Sequence, residues 1–184
     1  PLESQLKFAD GSITLGQLMS PSWRLPNLFD VFLSCCETNL GVPSLTDDIF
    51  TLSTGFLCAG ARSVISSLWA VDDLATALFS IYYYQQRQKG NNRPEALRQA
   101  QIKLREMKQE DLTEISKLAE SRRKEAKSKR KQFQEDSAEY LEWDVEYRKY
   151  AGVSNAIWNL KKSGEQFPFA HPRYWSAFIC QGLR

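Results

Sequence analysis

The sequence predicts an α/β domain: a mostly parallel sheet with helices on both faces, carrying a charged helical insertion. Three observations predict it. Leu28–Cys35 and Ser63–Trp69 are short, nearly continuous apolar runs rich in β-branched and aromatic residues, the pattern of strands buried on both faces. Each is followed by a stretch with apolar residues at helical spacing, and a strand–helix–strand–helix order builds a parallel sheet through right-handed crossovers. Between about residues 108 and 150 apolar residues thin out and charges dominate.

Taken in order, Gln5–Phe8 reads as a short edge strand followed by a turn at Asp10 and Gly11. Thr14 is placed to cap a short helix through Leu18, and Pro21 and Pro26 punctuate the loop before the first core strand. A helix is expected over Thr46–Ala59, ending near Gly60, a residue suited to the left-handed helix stop. After the second core strand, Asp72 and Asp73 open another helix, where carboxylates favour the positive end of the helix dipole. Pro94 suits a first helical turn. The charged region that follows reads as a helical hairpin or a mobile insertion, and Val153–Leu160 as a short helix. Phe167–Pro172 cannot be regular, and Tyr174–Cys180 is expected to return to the sheet as a final strand.

Bulk properties exclude several classes. At 184 residues and 42% hydrophobic, the chain is long enough for a domain with its own core. A formal charge of +2 is too small to argue for nucleic acid. The basic run Ser121–Lys131 is a candidate surface for an acidic protein, a nucleic acid or a membrane. Such runs are more often solvated helix faces, and Glu135, Asp136 and Glu139 lie close by, so no dedicated nucleic-acid or membrane partner is expected. No apolar run is long enough to cross a bilayer and no signal peptide opens the chain. The four cysteines, Cys35, Cys36, Cys58 and Cys180, form no disulfide or zinc pattern, and free thiols in a reducing, cytoplasmic compartment are expected. With His171 the only imidazole, a metal site has few ligands, and no cofactor is expected. Because Pro1 is not an initiator methionine, further polypeptide is expected before it.

Open α/β sheets do their chemistry beyond the carboxyl ends of the strands. Cys36 leaves the first core strand at such an end, where backbone amides can face a substrate carbonyl. A cysteine nucleophile needs that exposure and a partner that forms its thiolate. Cys35, still within the strand, faces the core; the competing reading makes both cysteines small, half-buried core residues. Asp72 and Asp73 follow the second strand end. They are either helix-starting carboxylates or binders of a basic side chain through a charge-assisted contact. Asp47 and Asp48 carry the same two readings. His171, between Ala170 and Pro172 in an aromatic loop, suits a local hydrogen bond or packing better than the role of general base.

Four segments together resemble the CHAT domain, a caspase-like family related to separases and often joined to tetratricopeptide repeats. Pro1–Gly11 is similar to the segment just after the family's histidine, and Leu33-Ser34-Cys35-Cys36-Glu37-Thr38 resembles its nucleophile motif, with Cys35 in place of the customary alanine. Gly60–Asp73 resembles the next strand and loop, and His171–Phe178 the closing motif, where the histidine is not the base. The form with Cys35 and Asn39 also looks like that of cyanobacterial members tied to heterocyst differentiation. The resemblance spans nearly all of 1–184 except the charged insertion, and implies a caspase-like three-layer sandwich of which this chain is a part. It implies a cysteine endopeptidase with Cys36 as nucleophile and a histidine supplied by an upstream segment of the same polypeptide. It also implies a protein or peptide substrate held at a basic residue, arginine above all, by Asp73 with Asp72 as its rival. A tetratricopeptide-repeat region is a further implied partner. The exposed arginines of the basic run are then candidate self-cleavage points. The competing function is a non-catalytic regulatory or scaffold domain acting through protein partners.

Overall fold

Short strands with adjacent apolar residues build the sheet that organises this protein, a computed structural model describing residues 2–8, 10–33 and 51–182. The chain divides into two units, Pro1–Arg105 with His171–Arg184, and Glu106–Ala170.

In the first unit, β1 (Gln5–Phe8) and β2 (Gly11–Thr14) form an antiparallel hairpin. Thr14 then caps α1 (Leu15–Met19) as its position predicts: its Oγ1 accepts from the Gln17 amide at 3.1 Å while Gln17 Oε1 accepts from the Thr14 amide at 2.9 Å. The main sheet has the order β3 (Asp30–Phe32), β4 (Ser63–Ser67), β5 (Phe178–Gly182). β3 and β4 are parallel, and β5 returns antiparallel to β4. The apolar runs thus form strands as expected, and the last strand starts at Phe178 because Pro172–Tyr174 is wound into a 3₁₀ turn.

The pleat sorts residues between two helical layers. Val31, Leu33 and Val64 pack with Leu15 and Leu18 of α1 and with Leu52, Phe56 and Ala59 of α2 (Leu52–Ala59). Thr51 caps α2, accepting from the Thr54 amide at 3.2 Å, so this helix begins later than the expected Thr46; residues 46–50 lie outside the described ones. Gly60 ends it at φ +116°, and a side chain there would press on the Leu25 carbonyl. On the opposite face Phe32 and Phe178 meet Phe79 and Tyr83 of α3 (Asp73–Gln88), with the Phe79 and Phe178 rings stacked 3.8 Å apart. α4 (Arg93–Arg105) packs beside α3, and Gln101 Nε2 donates to the Trp175 and Phe178 carbonyls. Helices therefore cover both faces of the sheet, the α/β sandwich that the sequence predicts.

Asp30 is the exception in an otherwise apolar strand. Its carboxylate accepts from Ser63 Oγ at 2.7 Å and from Arg93, and pairs with Arg87 at 3.4 Å, tying β3 to β4, α3 and α4. Burial alone would raise its pKa, but the hydrogen bonds from Arg93 and Ser63 and the charges of Arg93 and Arg87 hold it below the usual carboxylate value. Tyr83, on the same helix as Arg87, has a buried hydroxyl with no hydrogen-bond partner among the described residues, and burial pushes its ionisation up.

The second unit is a helical hairpin of α5 (Leu112–Arg130) and α6 (Ala138–Ser163). The helix expected over Val153–Leu160 is the C-terminal part of α6, whose aromatic and apolar positions Tyr140, Trp143, Tyr147, Tyr150 and Ile157 keep helical spacing throughout. The basic run is helix through Arg130, within the pair of helices that the hairpin reading describes. Asp144, only 6% exposed, accepts from Arg130 across the pair and forms an ion pair with Arg148 Nε at 2.6 Å, while Arg130 lies over the Tyr147 ring. At the other end Gln109 Nε2 donates to the Leu160 and Lys161 carbonyls at 3.2 and 3.1 Å, closing off α6.

Asp30→Ala strands Arg93 without its carboxylate and is expected to cost about 2–3 kcal/mol in urea unfolding, somewhat less than a fully buried pair would. Because the folded pKa is depressed, the ionised carboxylate stabilises the fold above its unfolded value of about 3.9, and that stabilisation is lost as pH falls through the folded pKa. Melting curves taken downward from about pH 5 are expected to show a steeper loss for the wild type than for Asp30→Asn.

Candidate active site

The parallel pairing of β3 with β4 puts both carboxyl ends on one edge of the sheet. β3 is extended by Leu33, whose amide donates to the Ile65 carbonyl at 2.8 Å. Ser34, Cys35 and Cys36 come next in the sequence; they, with Asp47 and Asp48, lie outside the described residues.

From β4 the chain passes through Leu68, Trp69, Ala70 and Val71 to the start of α3. This turn is fixed at three points. The Leu68 amide donates to the Ala177 carbonyl at 2.9 Å, Trp69 Nε1 donates to the Arg173 carbonyl at 3.1 Å, and Val71 is buried. Asp72 is the N-cap of α3: its carboxylate accepts from the Ala75 amide at 3.0 Å, satisfying a donor that the helix end leaves open. Asp73, the first helical residue, is exposed, and its carboxylate makes no hydrogen bond or ion pair among the described residues. One of the two carboxylates is thus engaged by its own helix, and the other has no partner among the described residues.

His171 sits in the loop that supports this turn. Its Nδ1 accepts from the Arg173 amide at 3.2 Å, making it the N-cap of the Pro172–Tyr174 turn, the local hydrogen bond that its setting suggested. Of the remaining cysteines, Cys58 is exposed, and Cys180 is half-buried and unpaired in disulfide, with burial pushing its thiol up. No helix among the described residues is long and apolar enough to cross a membrane.

Sequence reasoning passed over Asp30 and the tie between Trp69 and Arg173. Asp30 carried a signal, because a carboxylate inside an apolar strand demands a cationic or hydrogen-bonding partner. The Trp69 contact bridges residues 104 apart and left no local trace.

A three-layer α/β sandwich whose strands end beside a short turn bearing a carboxylate unpaired among the described residues belongs to the class of folds that place chemistry at the sheet edge. The particular family is given by its sequence model: the CHAT domain matches residues 1–183, and the chain belongs to that family, which is associated with caspase-like proteases. No curated protein and no solved structure gave a match.

Asp72→Ala is expected to cost about 1 kcal/mol in thermal or urea unfolding through the lost cap. Asp73→Ala should stay within about 0.5 kcal/mol of wild type, as surface substitutions usually do.

Proposed function

We propose that this chain is the cysteine-bearing part of an endopeptidase domain that cleaves proteins after a basic residue, arginine above all. The observation that carries the reading is Asp73. Within a domain of a protease-associated family, it is an exposed carboxylate without a partner among the described residues, placed where the nucleophile strand's neighbour ends. A guanidinium matches a carboxylate with two parallel hydrogen bonds, which favours arginine over lysine.

In this reading the Cys36 thiolate attacks the carbonyl carbon of the scissile peptide bond. Backbone amides, that of Cys36 among them, hold the developing oxyanion; one such donor is worth about 3 kcal/mol in a comparable acyl transfer. An imidazolium then protonates the leaving amine as the C–N bond breaks, and water hydrolyses the thioester to restore the thiol. That imidazole comes from an upstream segment of the polypeptide, because His171 is the only histidine of this chain and is occupied by its own turn. Asp73 holds the basic side chain on the acyl side of the bond, and Asp72 keeps the turn in place.

A second reading, a regulatory domain acting through protein partners, is favoured by the hairpin unit, where Leu118, Leu141, Val145 and Trp158 are exposed. Its basic run does not make an anion-binding surface by charge alone. Seven cations between Arg122 and Lys131 are balanced by seven carboxylates, Glu125 and six from Glu135 to Glu146.

In the complete polypeptide, Cys36→Ala is expected to abolish cleavage of arginine-containing peptides while the melting temperature stays unchanged. Cleavage retained in that variant, with Cys35 intact, refutes the nucleophile and leaves the regulatory reading. Asp73→Asn is expected to lower kcat/KM for cutting after arginine at least tenfold, measured against a library varied at that residue.

A further inference from the structure

Leu68 and Trp69 follow a strand that is buried at every position and precede the buried Val71, yet they are 39% and 36% exposed. They are not a loose loop tip. The Leu68 amide and the Trp69 indole N–H are both bonded to carbonyls of the segment before β5, Ala177 and Arg173 respectively. With its one polar atom satisfied, the indole presents apolar surface, and that surface is held in place before anything binds.

Asp73 stands four residues further along, a separation that spans at most about 14 Å of chain. In an extended peptide, side chains two residues apart share a face at about 7 Å. One peptide strand can therefore set a cationic side chain on Asp73 and an apolar one on Trp69.

We infer that Leu68 and Trp69 form an apolar subsite that takes a large apolar side chain within two residues of the basic side chain held by Asp73. This rests on the peptide-binding reading above and adds a second specificity element to it. The occupant is an extended peptide of basic-plus-apolar character. An apolar surface alone would suit many partners, but the Asp73 carboxylate four residues on, unpaired among the described residues, selects those that bring a cation.

The test uses the complete polypeptide with Cys36→Ser, so that peptides bind without turnover, and fluorescent peptides of one arginine flanked on either side by Leu, Phe or Ser. Fluorescence anisotropy is expected to show the Leu and Phe peptides binding about 5- to 20-fold more tightly than the Ser peptide. Trp69→Ala is expected to bring that ratio close to one, Trp69→Phe to keep most of it, and Asp73→Asn to weaken all three peptides alike. An unchanged ratio in Trp69→Ala, or no preference before substitution, overturns the subsite. Should Trp69→Ala melt early, the Leu68→Ser variant reads the same ratio. The same peptides offered to protein with Cys36 intact separate the two claims. Peptides bound with the preference but never cut leave the subsite standing and sink the peptidase. Peptides cut without the preference do the reverse, and peptides that fail to bind overturn both.

Discussion

The parallel ladder between β3 and β4 is the constraint on which the rest of this protein depends. Parallel strands must leave the sheet on the same side, so residues following Leu33 and residues following Ser67 start from one edge. Among the described residues three pairs make that ladder, and a short ladder is easily misregistered. Asp30 supplies the missing specificity. Its carboxylate takes Ser63 from the neighbouring strand and arginines from both helices of one face, so a slip by one residue would turn the charge toward the apolar face of α1 and α2. The pair costs desolvation, and what it returns is register.

Layering follows from the pleat. One face is aliphatic and packs on short helices; the other is aromatic and packs on α3 and α4. The aromatic face lets α3 run sixteen residues from the carboxyl end of β4 to the Arg87–Asp30 contact. One helix thus carries Asp73 at its first turn and an anchor for β3 at its last. The hairpin unit follows a different economy: with few buried apolar residues, it relies on Asp144 between two arginines and on aromatic rings under cations.

Much of this was legible along the chain. Apolar runs marked β3 and β4, Thr14 and Gly60 marked helix ends, and the carboxylates after Trp69 marked the start of α3, because each signal is local and acts within one turn or one strand. Boundaries drifted where a local signal was overruled. Thr51 starts α2 late because its hydroxyl caps Thr54, Pro172 delays β5 by winding a turn, and α6 runs on because its aromatic spacing never breaks.

By itself the sequence determined the α/β class, the alternation of strands and helices, the candidate residues Cys36, Asp72 and Asp73, and the kinship with the CHAT family. Those features are written in spacing and residue type. Only the tertiary structure decided which aspartate is bound by its helix and which has no partner among the described residues, why Asp30 can sit in an apolar strand, and how Trp69 is pinned. Each of those depends on direction or on partners far apart in the chain: a carboxylate turned toward its own amides, two arginines brought from later helices, a carbonyl 104 residues away. Distance in space has no period in sequence, and so it becomes visible only when the chain is folded.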